Sequence, residues 1–411
     1  MKNQYIKKID PQITKLIEKE KKRHKGSLNL IASENYPSRA VREALSSIFV
    51  VKYSEGRPEK RYYGGTENID TLENLVEERI RKAFRLNKDW AVNVQPYSGS
   101  PANYAVLRGL LRPGDKILSL VLSHGGHLSQ GAKVSLSGQD FRVFHYFLNK
   151  NGFLNYREIE KIAKKEKPKL IIAGYSAYPR KVDFKKFSFI AKKVKAYLLA
   201  DIAHTAGLVI GKVHPTPFPF ADVVTMTTHK TLRGPRGAII VCKKELENKI
   251  FPKVFPGIQG GPHNHTISAI GVALKEAQSE KFKKYTAQII KNAEALAEEL
   301  KKYNFDLISG GTDNHLVLVD LTNKGISGKE AQDLLEKAGI VVNKNAIPYD
   351  TKSPFDPSGI RLGTPAVTTR GMKEKEMKKI AGFIAEVILN PQPYLKIKKE
   401  IKKFCKKFPL P

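Results

Sequence analysis

Cysteine is almost absent: Cys242 and Cys405 are the only two in 411 residues. Two lone cysteines, one of them in the apolar run AIIVC, argue against a disulfide scaffold or a zinc module and for a reducing compartment. No apolar run approaches the roughly 20 residues that a membrane span requires. The first 26 residues, MKNQYIKKIDPQITKLIEKEKKRHKG, form a charged helical pattern without an apolar h-region, so no secretory signal is expected and a cytoplasmic protein is. Internal repeats and low-complexity linkers are missing too. A chain of this length is then expected to form two domains that share an interface. Acidic residues are scarce beside basic ones, 40 against 72, for a net charge of +32. That balance invites a nucleic-acid partner, yet the lysines are scattered and no zinc finger or RNP-type aromatic motif accompanies them. In KIKKEIKKFCKK, Ile397, Ile401 and Phe404 recur at helical spacing, which reads as an amphipathic helix with a solvated basic face. Attraction for anionic small molecules is the milder consequence. An RNA-binding protein remains the competing reading from another class; its mark would be affinity that falls steeply with salt.

What is present is an alternation. WAVNVQP, DKILSLVL, KLIIAGYSAY, AYLLADIAH, DVVTMTTH and RGAIIVC read as strands, and helical patterns such as NYREIEKIAKKEK and FKKFSFIAKKVK separate several of them. This is the signature of a largely parallel sheet with helices on both faces. A nearly glycine-free helical stretch follows from about Thr266 to Tyr303, with a break expected near Ser279. The remainder, from HLVLVDLTNKGISGKEAQDLLEKAGIVVNKN onward, mixes strands and helices as a smaller α+β unit.

Three stretches of the first part carry chemistry. YSGSPAN, residues 97–103, places Ser98, Gly99 and Ser100 between a strand and a helix, so that hydroxyls, free N–H groups and a helix N-terminus point at one place. LLADIAHTAG ends an apolar strand on Asp201, where a carboxylate needs a cationic or N–H partner. VVTMTTHKTLRGPRG puts Lys230 where a buried strand hands over to a tight loop, the position at which α/β proteins do chemistry. Each has a plainer reading alone: a common Ser/Gly turn, a strand-end ion, a lysine reaching for solvent. Together they match what pyridoxal phosphate demands, namely a phosphate cradle, a carboxylate for the pyridinium nitrogen and an amine for C4′. His204 and His127 could pack on such a ring. His124 and His127 are also spaced as metal ligands, but no carboxylate or cysteine lies close in sequence, so no metal is expected.

The stretches LNLIASENYPS, KYSEGRPEKRYYGGTENID, SHGGHLSQG, DIAHTAGLV, TTHKTLRGPRG, FPGIQGGPHNH and GIRLGTPAVTTRG, in this order over nearly the whole chain, resemble serine hydroxymethyltransferase. The resemblance implies a fold-type-I pyridoxal-phosphate-dependent transferase of the aspartate-aminotransferase-like α/β class. Its large domain holds a mainly parallel seven-stranded sheet, and a smaller α+β domain follows. The division expected here is a helical arm over 1–25, a large cofactor-binding domain over 26–278 and a small domain over 279–411. The implied reaction is reversible transfer of the serine Cβ unit to a reduced pterin, leaving glycine, with retro-aldol cleavage of 3-hydroxy amino acids on the side.

By the same resemblance Lys230 is the Schiff-base lysine and Asp201 the partner of the pyridinium nitrogen. Ser98, Gly99 and Ser100 hold the phosphate with help from His229. His127 stacks on the ring, and His204 and Ser176 contact the region of the 3′-oxygen. The site is expected at a homodimer interface, with a tetramer possible, so Tyr53 and Gly260–Gly261 reach the phosphate of the neighbouring subunit. Arg361 clamps the substrate carboxylate, a task suited to a bidentate guanidinium, and Ser33, Tyr53 and Tyr63 also meet the amino acid. Glu55 and Tyr63 belong to the catalytic set, with Glu55 the acid/base, a role that burial near tyrosines would favour by keeping it neutral. Glu55, Tyr62, Leu122, Gly126, Leu128, Asn345 and Ser353–Pro354–Phe355 match positions that meet the pterin. Pro101 stands where many members carry a polar residue, and the stretch between HYFLNKNGFLN and EKIAKK is lean. Pro101 stiffens the helix start without damage to the site, whereas the lean stretch leaves open a tetrahydromethanopterin-type carrier in place of tetrahydrofolate. A pterin-independent threonine or allo-threonine aldolase would use the same Lys230, Asp201 and Arg361; KRYYGG and NKNAIP argue against it, because an aldolase needs no carrier site.

Overall fold

Seven short apolar runs become the strands of one sheet: β1 (Trp90–Asn93), β2 (Lys116–Leu120), β3 (Arg142–Tyr146), β4 (Leu170–Gly174), β5 (Tyr197–Asp201), β6 (Val223–Thr227) and β7 (Ala238–Lys243). In this computed structural model, which describes residues 4–390 and 394–411, they lie in the order β1-β7-β6-β5-β4-β2-β3. β7 runs antiparallel to both of its neighbours and every other pairing is parallel. Central strands of a parallel sheet are covered on both faces, which is why LIIAG and VVTMT are apolar throughout rather than alternating. Along β4 the two-residue period still sorts the side chains. Ile171 and Ala173 enter one core, while Leu170 and Ile172 enter the core on the opposite face.

The expected break near Ser279 is present. One helix spans Asn264–Ala277 and the next Glu280–Lys302, and the Ser279 hydroxyl caps the second by accepting from Phe282 N–H at 3.2 Å. Phe282 packs into the core of the large sheet, whereas Leu296 and Leu300 enter a further core. This core covers a four-stranded antiparallel sheet that includes Leu316–Asp320 and Gly359–Gly363. The basic C-terminal helix, Tyr394–Cys405, buries Ile397, Ile401 and Phe404 as its spacing predicts. Leu28 and Leu30 also lie in that core, and Leu28–Asn29 pairs in parallel with Ile340–Val341. The segment leading to Ser33 is thus fastened to the C-terminal part of the chain. Residues 1–3 of the expected arm and 391–393 of the expected small domain lie outside the described residues. Among the described residues no helix is long and apolar enough to cross a membrane.

One side chain ties the two ends together. The buried Arg370 guanidinium donates to the carbonyls of His24, Lys25 and Ser27, at the end of the Pro11–Gly26 helix, and to those of Cys405 and Phe408, at the end of the C-terminal helix. It satisfies carbonyls that a helix end leaves without partners and places a cation where the helix dipoles favour one. Arg370→Met keeps the stem and removes the donors. It is expected to cost on the order of 3 kcal/mol in urea unfolding, the scale of several buried acceptors losing charged donors. A loss below about 0.5 kcal/mol, the level of an ordinary surface substitution, would show that the clamp contributes nothing.

Candidate active site

β1, β5 and β6 end on one side of the sheet, and the polar residues at their ends surround a cavity of about 350 Å³. This is where parallel sheets bind ligands, outside the carboxyl ends of the strands. Ser33, Ser98, Gly99, Ser100, His127, Ser176, Asp201, His204, His229, Lys230 and Arg361 all line it.

Lys230 leaves β6 on a loop whose backbone is closely tied. Thr228 Oγ1 donates to Pro235 O at 2.6 Å, Gly234 N–H to Thr228 O at 2.7 Å, and Asn35 Nδ2 to Lys230 O at 2.9 Å. The side chain is only 7% exposed. Burial pulls its ammonium down to about 8, against the pull of Asp201 and with the help of Arg361 and Arg236. A neutral, nucleophilic amine is therefore accessible near physiological pH.

Asp201 ends β5 as the sequence pattern requires, and its partners are amides. Asn103 Nδ2 donates to Oδ2 at 2.8 Å and Gln130 Nε2 to the same oxygen at 2.9 Å, while Ala203 N–H donates to Oδ1 at 3.0 Å. Thr225 Oγ1 donates to Asn103 Oδ1 at 2.6 Å, which fixes the amide with its NH₂ towards the carboxylate. Gly174 is needed beside it, since a Cβ there would lie 2.5 Å from Asp201 Cβ. Asn103, Gln130 and Thr225 escaped sequence reasoning. Asn103 and Thr225 are polar residues on a largely apolar helix and strand, their one signal, whereas Gln130 ends the short Leu128–Gln130 turn and had none.

The end of the cavity at the Gly99–Leu110 helix is equally defined. Ser98 is the N-cap of the Gly99–Leu110 helix, yet its hydroxyl makes no capping bond and so stays available to a ligand. Pro101 sits in the first turn, where no intrahelical bond is lost. His229, held neutral at about 3 mainly by burial, has a buried Nδ1 with no partner among the described residues. An unpartnered ring nitrogen beside an uncapped helix start fits a phosphate. His127 accepts from Ser129 N–H at 3.2 Å through Nδ1, so its neutral ring carries hydrogen on Nε2.

Arg361 comes from the other sheet. Its Nη1 donates to Ser176 O at 2.5 Å and its Nε to Asn343 Oδ1 at 3.1 Å. Two of the five N–H donors of a guanidinium are thus used and three remain for a ligand. Burial lowers the group to about 10, which leaves it a cation. Gly363, two residues on, admits the Ala32–Ser33 segment; a Cβ there would meet Ala32 Cα at 2.3 Å.

The other residues singled out in the sequence lie elsewhere. Tyr53 and Tyr63 pack ring to ring at 5.3 Å; a Cβ on Gly261 would sit 3.1 Å from the Tyr53 ring, and one on Gly260 3.5 Å from Glu55 Oε1. Tyr62 packs on Phe255 at 5.7 Å. None of these six lines the Lys230 cavity. Glu55 is half-buried rather than enclosed, because Tyr53 and Tyr63 are themselves exposed. The cluster is held from beneath by Arg61, which donates to Asp70, Glu73 and the carbonyls of Ser54 and Gly56. Leu122 and Leu128 are half-exposed on either side of the buried Gly126 turn. The loop that carries Ser353, Pro354 and the exposed Phe355 meets this turn through Tyr349, whose ring lies 4.7 Å from that of His124. Asn345, half-buried, pairs with Gly359 in the smaller sheet. Among the described residues no three His, Cys, Asp or Glu side chains are gathered as a metal would need.

A profile of the serine hydroxymethyltransferase family matches residues 6–384. A serine hydroxymethyltransferase of Desulfotalea psychrophila is 53% identical over 409 residues, covering 99% of this chain and 96% of the relative. That of Methanosarcina barkeri is 53% identical over 411 residues, covering 99% of both.

This chain belongs to the serine hydroxymethyltransferase family.

Serine hydroxymethyltransferases are fold-type-I enzymes that depend on pyridoxal phosphate and use a reduced pterin as co-substrate. The residues present fit that cofactor: an uncapped helix start with an unpartnered His229 nitrogen, a carboxylate oriented by two amides, and a buried amine, all on one cavity. If Arg361 binds the substrate carboxylate with its free donors, Arg361→Lys is expected to weaken serine and glycine binding by about 1.5–3 kcal/mol while cofactor binding holds, since a point charge replaces a bidentate fork. Equal losses of cofactor and substrate in titrations would show that Arg361 holds the two sheets together instead.

Proposed function

We propose that this protein catalyses the reversible transfer of the serine Cβ hydroxymethyl group to a reduced pterin, yielding glycine, with retro-aldol cleavage of 3-hydroxy amino acids as a side activity. The observation that carries the reading is the single cavity shared by Lys230, Asp201, the Ser98–Ser100 helix start and Arg361. Bound pyridoxal phosphate supplies an electron sink for breaking a bond to Cα. Ser98, Gly99, Ser100 and His229 would hold its phosphate, Lys230 would carry it covalently, and Asp201 would keep its ring nitrogen protonated. His127 would lie over the ring, with Ser176 and His204 near its 3′-oxygen. Arg361 and Ser33 would orient the amino acid, and Glu55 would move the proton of the serine hydroxyl.

Glu55, Tyr53, Tyr63 and Gly260–Gly261 would complete the cavity of a second subunit. Support comes from the surface around them: Ile48, Val50, Val51 and Tyr62 are 80%, 63%, 74% and 74% exposed, an apolar area of the kind that marks an interface. A homodimer is therefore expected. Sedimentation at micromolar concentration should give a dimer, and a fully active monomer with full cofactor content would count against it. A cytoplasmic site is supported by Cys242 and Cys405, both buried and unpaired.

The test of the activity is serine cleavage with and without a carrier. Glycine formation is expected to accelerate on addition of tetrahydrofolate or tetrahydromethanopterin, and the preferred one identifies the carrier. Cleavage that ignores both would make the protein an aldolase. A purified protein without the yellow colour of bound pyridoxal phosphate would overturn the reading altogether.

A further inference from the structure

Next to the Lys230 cavity, and sharing Tyr175 and Asp201 with it, lies a second cavity of about 20 Å³. His204 lines both. Its Nδ1 is 3.1 Å from His315 Nε2, with the two rings 5.3 Å apart and nearly parallel. Its Nε2 makes no hydrogen bond within the described chain, which leaves this nitrogen to the site. The small cavity is also lined by His214 and Tyr178. His204, His214 and His315 are 5%, 6% and 0% exposed. Two buried nitrogens on this cavity, His315 Nδ1 and His214 Nε2, lack partners among the described residues.

The hydrogen of His214 can be assigned from its partner. His214 Nδ1 is 3.0 Å from Pro215 O, and a carbonyl only accepts, so this nitrogen carries the hydrogen. Burial holds all three rings neutral: His214 at about 4, His315 at about 3 and His204 well below its usual range. His214 Nε2 is then a lone pair that needs a donor. Leaving such a nitrogen dry is costly, and a space above about 10–15 Å³ with two or more polar partners is enough for one water. Tyr178 accepts from Leu154 N–H at 3.3 Å, and its own hydrogen is free for the water oxygen.

We propose that one ordered water donates to His214 Nε2 and His315 Nδ1, and that this chain fixes His204 as the Nε2–H tautomer facing the cofactor site. With Nδ1 of His315 accepting, its single hydrogen must be on Nε2 and is donated to His204 Nδ1. His204 then presents an N–H to the site, the polarity that suits an anionic ring oxygen. The opposite order would turn a lone pair towards that oxygen. His315 is thus a positioning residue that acts through His204, and the inference rests on the pyridoxal-phosphate reading of the site.

The test uses the holoenzyme. Its crystal structure should show a water within hydrogen-bond distance of both ring nitrogens, and ¹⁵N spectra of histidine-labelled protein should show His204 hydrogen on Nε2. A dry cavity, or hydrogen on Nδ1, overturns the proposal. His315→Gln keeps an amide donor at the reach of Nε2, whereas His315→Leu keeps bulk and removes it. The Leu variant should lose about tenfold in kcat, the scale of one hydrogen bond, with serine KM little changed and the absorbance band of the bound cofactor shifted. The Gln variant should retain both. Equal behaviour of the two would make His315 a packing residue and sink the idea. Should the Leu variant not fold, His214→Phe removes only the far end of the chain. It should release the tautomer in the same spectra, and an unchanged His204 signal would again overturn the proposal. Wild-type protein without cofactor colour would defeat the underlying reading, whereas colour with the wrong tautomer defeats this inference alone.

Discussion

Lys230→Met is expected to purify without covalently held cofactor and to lose roughly 10³ or more in turnover, the scale on which removing a covalent catalytic group is felt. The same substitution should stabilise the apoprotein. Burial lowers the Lys230 ammonium from 10.5 to about 8. Between these pH values the unfolded chain binds more protons than the folded one, so apoprotein stability rises with pH across the window. Below about pH 8 both states are protonated, and the cost of the buried cation is fully present at about 3 kcal/mol by linkage. At pH 7 the methionine variant should therefore unfold at higher urea than the wild-type apoprotein, and the advantage should fade towards pH 10.5. Cofactor loading of the wild-type apoprotein should speed up as pH passes about 8, because only the neutral amine attacks. An equal stability difference at pH 7 and pH 10 would contradict the buried-cation description, and unchanged turnover would remove Lys230 from the mechanism.

That lysine was legible because a strand buried on both faces accommodates a charged side chain at its end rather than in its middle. VVTMTTHK and LLADIAH announce Lys230 and Asp201 by the same contrast, and the register of β5 with β6 brings the two ends together. The helix break at Ser279 and the Ile397–Ile401–Phe404 face were legible for an equally local reason, a cap residue in one case and a 3.6-residue period in the other. The partners of Asp201 were not. Asn103 and Gln130 precede it by 98 and 71 positions, and only the folded sheet shows that they meet at one oxygen. The same holds for Arg370, whose five acceptors come from the two ends of the chain, and for His315, which meets His204 across 111 positions. Resemblance pointed to residues that line the Lys230 cavity. It did not name those that hold them in place, because their task is set by three-dimensional neighbours rather than by a local pattern.

Glu55→Gln is expected to separate pterin-dependent transfer from the rest of the chemistry. Glu55 lies beside Gly260, outside the cavity of Lys230, Asp201 and Arg361 in its own chain, on a segment pinned through Arg61 to Asp70 and Glu73. Glutamine has the same size and leaves these ion pairs intact, so the local fold and the apolar surface around Tyr53 and Tyr62 should be unchanged. What is lost is a titratable proton. If Glu55 from one subunit serves the serine hydroxyl in the site of the other, serine-to-pterin transfer should fall by roughly 10²–10⁴, the range of an acid–base group. Cofactor colour and pterin-independent cleavage of allo-threonine should persist, because Lys230, Asp201 and Arg361 are untouched. Both rates are to be measured on one preparation. A parallel fall would make Glu55 a structural residue of the interface, and no fall in either would remove it from proton transfer. The half-burial of Glu55 in the single chain adds a control. If the partner subunit provides its cover, diluting the wild-type enzyme below its dimerisation range should reproduce the loss of transfer, whereas an isolated chain that retains full transfer would place the acid elsewhere.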